Sequence, residues 1–214
     1  MHREFYRRHL PHWQPDGATL FITFRLAGSL PQTVIAELLA ERERQERALA
    51  SIDDTTIRQE KAYLEERRAF GRWDQALDTI HAGPRWLGEP HIADLVGKAL
   101  HYRDARVYTL VAFCIMPNHV HMVCTPLPGQ NERYRPLASI MQSLKRYTAR
   151  EASLALRRGG TFWQAESYDH VVRDAAELER IVSYVIHNPV KAGLVAEWED
   201  WPWTYCASDW FPAR

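Results

Sequence analysis

Two apolar segments joined by a short turn constrain this chain more than any other feature. Val107 to Ile115 (VYTLVAFCI) is almost continuously hydrophobic, as a strand covered on both faces would be. Pro117-Asn118 marks a turn, and His119 to Thr125 (HVHMVCT) resumes a strand pattern. Strands connected so closely are antiparallel neighbours. A buried antiparallel hairpin at the centre of the sequence requires further strands beside it and helices over it.

Those partners can be read on either side. Thr19 to Leu26 (TLFITFRL) alternates, is rich in β-formers and lies between Asp16-Gly17 and Gly28, so it predicts another strand. Val34 to about Phe70 is rich in Ala, Glu and Arg and free of Gly and Pro, which predicts a helical hairpin broken near Ser51-Ile52-Asp53-Asp54. A further helix is expected over His91 to Tyr102. Pro136 opens a helix running to about Arg157, with Leu137, Ile140, Met141, Leu144 and Thr148 forming one apolar stripe and Gly159-Gly160 ending it. Tyr168 to Val172 predicts a short strand. Asp174, with Glu177 three residues on, resembles a capping box at the start of a last helix that closes before Asn188-Pro189. The resulting fold class is α+β: one domain over 1–214, an antiparallel sheet flanked by helices, with a helical insertion at about 34–102.

Composition bounds the rest. A hydrophobic share of 46% supports a real core. No run of about 18 apolar residues is present, so no membrane span is expected, and the N-terminal MHREFYRRHLPHW has no apolar stretch of the kind a secretion signal needs. Cys114, Cys124 and Cys206 are odd in number and widely spaced, the pattern of reduced thiols in a cytoplasmic protein. The formal net charge is zero, but its distribution is uneven. From Asn131 to Arg158 seven basic residues stand against Glu132 and Glu151, a net +5, whereas Glu37 to Glu66 and Asp174 to Asp200 each carry −4. A concentrated positive segment is what a phosphate footprint looks like, and a solvated helix face gives the same count.

His119-Val120-His121 is the sharpest local feature. Residues i and i+2 of a strand share a face, so the two imidazoles project together and form a plausible pair of metal ligands. Two partly exposed histidines on a wet sheet face are the plainer alternative. On the following helix Tyr147 and Glu151 are four apart and share a face. Glu151 is a candidate third ligand and Tyr147 a candidate nucleophile beside the metal, against the alternative of a tyrosine packed at the core edge. Two imidazoles and a carboxylate suit Mn²⁺ or Mg²⁺. Lys145, Arg146 and Arg150 flank the tyrosine and are candidate contacts to a nucleic-acid backbone, and the N-terminal Arg3, Arg7 and Arg8 are candidates for a groove or backbone. Asp169-His170 and His187-Asn188-Pro189 read as strand-end and helix-end contacts in preference to a second polar site, and Glu166 as a possible supporting carboxylate. Trp198, Trp201, Trp203 and Trp210 read as a packed tail in preference to stacking platforms for unpaired bases.

Over most of its length the sequence resembles the REP-associated tyrosine transposases, relatives of single-tyrosine insertion-sequence transposases within the HUH (His-hydrophobe-His) endonuclease group. The resemblance is carried by YRRHLPHWQPDGATLFITFRLAGSLP near the start, CIMPNHVHMV around the histidines, SLKRYTAR at the tyrosine, FWQAESYDHVVRD, and ERIVSYVIHNPVKAGLV followed by WPW. It implies cleavage of single-stranded DNA at hairpin-forming repetitive palindromes, leaving a 5′-phosphotyrosine and a free 3′-OH. It implies His119 and His121 as metal ligands and Tyr147, 26 residues after the second histidine, as nucleophile. The third ligand in relatives lies four residues after the tyrosine and is usually an amide; Glu151 in that place is a departure. The implied protein is cytoplasmic and nucleoid-associated, works with Mg²⁺ or Mn²⁺ on single-stranded DNA with palindromic hairpins, and is a monomer or a homodimer. Two other classes remain: a sequence-specific hairpin-binding protein that does not cut, and a metal hydrolase acting on a small molecule.

Overall fold

A computed structural model describes residues 5–7, 11–13, 15–80, 82–129 and 132–208, with the side chains of 5–7 and 11–13 excepted. The chain divides into two compact units, one comprising 1–27 and 85–214 and the other 28–84. The helical insertion is therefore shorter than the 34–102 expected from the sequence, because the third helix belongs to the sheet unit.

The sheet unit begins with a two-stranded antiparallel ribbon, β1 (Phe5–Arg7) and β2 (Pro11–Trp13). The main sheet follows from β3 (Leu20–Arg25), β4 (Tyr108–Ile115), β5 (His119–Pro126), β6 (Tyr168–Val171) and β7 (Thr204–Cys206). Its order is β6-β3-β5-β4-β7, antiparallel throughout. The predicted β4–β5 hairpin is thus central, with β5 hydrogen-bonded on both sides. β7 was not legible beforehand: three residues in a tryptophan-rich tail carry no alternation that could be distinguished from packing.

Alternation along these strands assigns the two faces. Leu20, Ile22, Phe24 and Leu26, Val120, Met122 and Cys124, and Leu110, Phe113 and Ile115 point to one side and join the main apolar cluster. That side is covered by α3 (Pro90–Arg103) and α4 (Leu137–Ala155), which contribute Ile92, Val96 and Leu100, and Ile140, Met141, Leu144 and Ala152. The α4 stripe is the one its sequence predicts. Phe21, Thr23 and Arg25 of β3 and His119, His121 and Val123 of β5 point to the other side. There α5 (Ala175–Ile186) packs on β4, β5 and β7, and a short α6 (Asn188–Lys191) continues it.

The second unit contains α1 (Gln32–Ala50) and α2 (Thr55–Thr79), joined at 51–54 where the break was expected. Asp54 caps α2 by accepting from Ile57 N at 3.0 Å, and Arg72 and Glu41 tie the helices together at 3.2 Å. α2 runs on through Gly71, past the end near Phe70 expected from the sequence. The two ends of this unit meet so closely that a Cβ on Gly83 would lie 2.3 Å from the Gly28 carbonyl oxygen. None of the three cysteines forms a disulfide. Among the described residues no helix is long and apolar enough to cross a membrane.

Candidate active site

His119 and His121 meet as the strand periodicity requires. Both are buried, and their Nε2 atoms lie 2.9 Å apart. Each Nδ1 is held by a neighbour: His119 by Asn118 Oδ1 at 2.7 Å, His121 by Thr23 Oγ1 at 2.8 Å from the paired position on β3. The Asn118 oxygen only accepts, so His119 carries its proton on Nδ1 and turns an Nε2 lone pair towards its neighbour. The Thr23 hydroxyl either donates or accepts, so His121 can take either tautomer. Without a cation, His121 donates Nε2–H to His119; with Nδ1–H given to Thr23, both Nε2 lone pairs face one point. Two imidazole nitrogens bound at about 2.1 Å and at right angles would be about 3.0 Å apart, close to what is seen. The outer hydrogen bonds are those that orient metal-ligating histidines.

α5 brings a phenol to this pair. Tyr184 is half-buried, its ring centroid 5.6 Å from that of His121 in an edge contact and 6.1 Å from Phe21, which itself stacks on His121 at 5.7 Å. The Lys191 ammonium lies 5.4 Å from the Tyr184 centroid. Asn188, one turn beyond Tyr184, is fully buried, and neither its Oδ1 nor its Nδ2 has a hydrogen-bond partner. A buried amide in that condition normally costs about 1–3 kcal/mol, so it is a donor group suited to a cation.

The placement of α5 follows from its first turn. Asp174 accepts from Glu177 N at 2.7 Å, while the Glu177 carboxylate accepts from Arg173 N at 2.8 Å and pairs with the buried His170 of β6 at 3.2 Å. His170 lies opposite Phe21 in the sheet register. The helix is therefore pinned to the sheet edge and laid across the histidine face, where Val182, Val185 and Ile186 are buried.

Several expected site residues lie elsewhere. Tyr147 is on α4, on the opposite side of the sheet from the histidines, and points outward with 45% exposure under the Arg103 guanidinium. Glu151 pairs with Arg150 at 2.6 Å and is not among the carboxylates whose oxygens come within 4.8 Å of both histidines. The physical reason is the apolar stripe: Leu144, Thr148 and Ala152 turn to the core, which sends positions 147 and 151 away from it. Lys145, expected at DNA, instead donates to the carbonyls of Gln164 at 2.9 Å and of Ala165 and Glu166 at 3.2 Å, with its ammonium 5.9 Å from the Phe24 ring centroid. Arg146 and Arg150 are exposed on α4. Arg3, Arg8 and Trp210 lie outside the described residues, as does the side chain of Arg7. Arg25, in register with His119, is buried on the histidine face; burial lowers its pKa, and the nearby Glu166 carboxylate opposes the shift.

Residues 92–188 match the family described as Transposase IS200 like. This stretch is similar to IS200-like transposase domains. It runs from α3 to Asn188 and so contains both histidines, Tyr147, Tyr184 and Asn188. The chain is similar to a putative REP-associated tyrosine transposase of Haemophilus influenzae, 29% identical over 103 residues, which are 45% of this chain and 58% of that protein. It is also similar to a REP-associated tyrosine transposase of Escherichia coli K12, 25% identical over 99 residues, 46% of this chain and 54% of that one. The chain spans little more than half the length of the curated relatives it matches. A solved structure of a REP-associated tyrosine transposase bound to a REP hairpin shares the fold: TM-score 0.51, 18% identity, covering 93% of this chain and 80% of that one.

The sequence reading did not single out Tyr184 and favoured a helix-end contact for Asn188, although a signal for the pair was present. The resemblance implies an amide four residues after the nucleophilic tyrosine. Tyr184 followed by Asn188 satisfies that spacing; Tyr147 followed by Glu151 does not.

Proposed function

We propose that this chain is a divalent-metal-dependent DNA transesterase that cuts and rejoins single-stranded DNA at hairpin-forming sequences, with Tyr184 as its nucleophile. The observation that carries the reading is the Tyr184 phenol packed against His121 on the histidine face, one turn before a buried, unpartnered amide. The similarity to REP-associated tyrosine transposases, and to one bound to a REP hairpin, supports hairpin DNA as the substrate class.

His119 and His121 would hold the cation through Nε2, with Asn188 Oδ1 as a further ligand. Imidazole with an amide oxygen suits Mn²⁺, and Mg²⁺ where water fills the remaining positions. A bound cation would polarise the scissile phosphate and neutralise charge building on it. The protein does the rest. Phe21 and His121 fix the Tyr184 ring, and the Lys191 ammonium lies 5.4 Å from its centroid. Arg25 supplies a second positive charge on the same face. The phenolate oxygen attacks phosphorus, the P–O3′ bond breaks, and the departing 3′-oxygen takes a proton from water, giving a 5′-phosphotyrosine and a free 3′-OH. Attack by another 3′-OH reverses these steps and releases the phenol, so rejoining needs no nucleotide cofactor.

Covalent capture tests this reading. The full chain is incubated with labelled hairpin-bearing single-stranded DNA and Mn²⁺ or Mg²⁺, then run on a denaturing gel beside Tyr184→Phe and Tyr147→Phe. A metal-dependent adduct lost only in Tyr184→Phe is the expected result. An adduct lost only in Tyr147→Phe would return the nucleophile to α4. Hairpin binding with no adduct in either metal would leave a non-cutting binder.

A further inference from the structure

The outward face of α4 carries a second set of groups that the proposed chemistry does not use. Tyr147 lies there with the Arg103 guanidinium 5.7 Å from its ring centroid. Arg103 is itself anchored, donating to Ala99 O at 2.8 Å and to Ser143 O at 3.4 Å, which joins the last turn of α3 to α4. One residue before it, Tyr102 is 67% exposed with Arg106 4.6 Å from its ring centroid. A shallow depression of about 510 Å³ runs along the face, lined by Ser139, Gln142, Ser143, Arg146, Tyr147 and Arg150.

The charge of this face is lopsided. Arg103, Arg106, Arg146 and Arg150 stand on it. Two acidic side chains beside it are engaged: Glu151 pairs with Arg150, and Asp104 accepts from Ala105 N at 3.0 Å and Leu110 N at 2.8 Å. Exposed aromatic rings held by guanidinium groups, beside short hydroxyl and amide side chains, form a pairing of stacking platforms with a cationic track.

We propose that the outer face of α4, with the last turn of α3, binds single-stranded nucleic acid on the opposite side of the sheet from the histidines. Unpaired bases stack on Tyr147 and Tyr102. Arg146 and Arg150 meet the phosphates, and Ser139, Gln142 and Ser143 reach sugar and phosphate oxygens. A duplex does not fit the ring contacts, because its base faces are already stacked. The occupant is thus the unpaired DNA beside a hairpin, and the face retains a strand whose cut end lies elsewhere on the molecule. The DNA class rests on the proposed function; the single-strand preference rests on the face alone.

The test is fluorescence anisotropy of a labelled twenty-residue oligo-dT with the full chain, in EDTA so that binding is read without cleavage. Tyr147→Ala is expected to weaken binding about tenfold, with Tyr147→Phe restoring it because stacking needs the ring and not the hydroxyl. Arg146→Ser is expected to lower the slope of log affinity against log salt by about 0.7. Circular dichroism and a thermal melt of each variant confirm that it is folded. Oligo-dT affinity unchanged in Tyr147→Ala, or equally weakened in Tyr147→Phe, overturns the stacking site. Equal competition by a duplex of the same length overturns the single-strand assignment. Because the assay contains no metal, these outcomes are independent of whether Tyr184 forms an adduct.

Discussion

Replacing Lys145 by Met should destabilise the sheet unit and leave DNA affinity nearly unchanged. The ammonium makes three hydrogen bonds, to the carbonyls of Gln164, Ala165 and Glu166. Hydrogen bonds to a charged donor contribute about 1.5–3 kcal/mol each when isolated. Here one half-buried ammonium shares three, and Met retains most of the stem packed over Phe24. A net loss of about 2–4 kcal/mol is the reasonable total. At about 2–4 °C per kcal/mol for a chain of this size, the melting temperature should fall by about 5–15 °C. Binding is read in parallel as the salt dependence of affinity for single-stranded DNA. A lysine on a phosphate contributes about 0.7 to that slope; Lys145→Met should leave the slope as it is. If the variant melts with the wild type and the slope drops by about 0.7, the carbonyl-bound position of Lys145 is not the one that matters, and the residue belongs to the DNA surface.

Four smaller expectations follow from the same contacts. Thr23→Val, nearly isosteric, removes the Nδ1 partner of His121 and should weaken Mn²⁺ binding about 10–100-fold by calorimetric titration; unchanged affinity would mean that Thr23 does not orient the ligand. Thr148→Val leaves the buried Trp163 Nε1, now 2.8 Å from the hydroxyl, without an acceptor and should cost about 1–3 kcal/mol in a urea melt. Glu177→Ala unties both Arg173 N and His170 from α5 and should cost at least as much, with a loss of adduct formation as the helix carrying Tyr184 loosens. Burial pushes the Cys206 thiol from 9.0 up to about 11. Its folded pKa is raised, so the stability it contributes is fully present below pH 9 and lost as pH rises through 11; alkylation rates should rise towards that higher pH in the folded protein and near 9 in urea.

The fold was legible where one periodicity dominated. The β4–β5 hairpin, β3, the α4 stripe and the Asp174 cap all follow from spacing and end chemistry: the strands from apolar or alternating runs long enough to register, the helices from one apolar stripe or one capping pair. Two short strands at the N-terminus and β7 carry too few residues for alternation to register. The insertion boundary was missed because α3 looks from sequence like the helices before it; only its apolar residues, packed beneath β4, attach it to the sheet.

The candidate site was legible to the point where a face had to be chosen. His119 and His121 share a side because a strand has period two, and nothing further was needed. The tyrosine was harder. Two helices each carry a tyrosine followed four residues later by a polar side chain, and helical spacing is identical for Tyr147 with Glu151 and for Tyr184 with Asn188. What separates them is which side of the sheet each helix covers. That is encoded in strand parity: Val120, Met122 and Cys124 must lie opposite to His119 and His121. The helix whose apolar stripe meets those three residues cannot also present its polar face to the histidines. α4 supplies a broad stripe for the Val120 side. α5, tied to β6 by Glu177 and His170, is left for the other. Parity together with the packing of α4 on the Val120 side keeps Tyr147 off the histidine face, and the buried amide of Asn188 gives an independent reason to propose the tyrosine one turn back along α5 as the nucleophile.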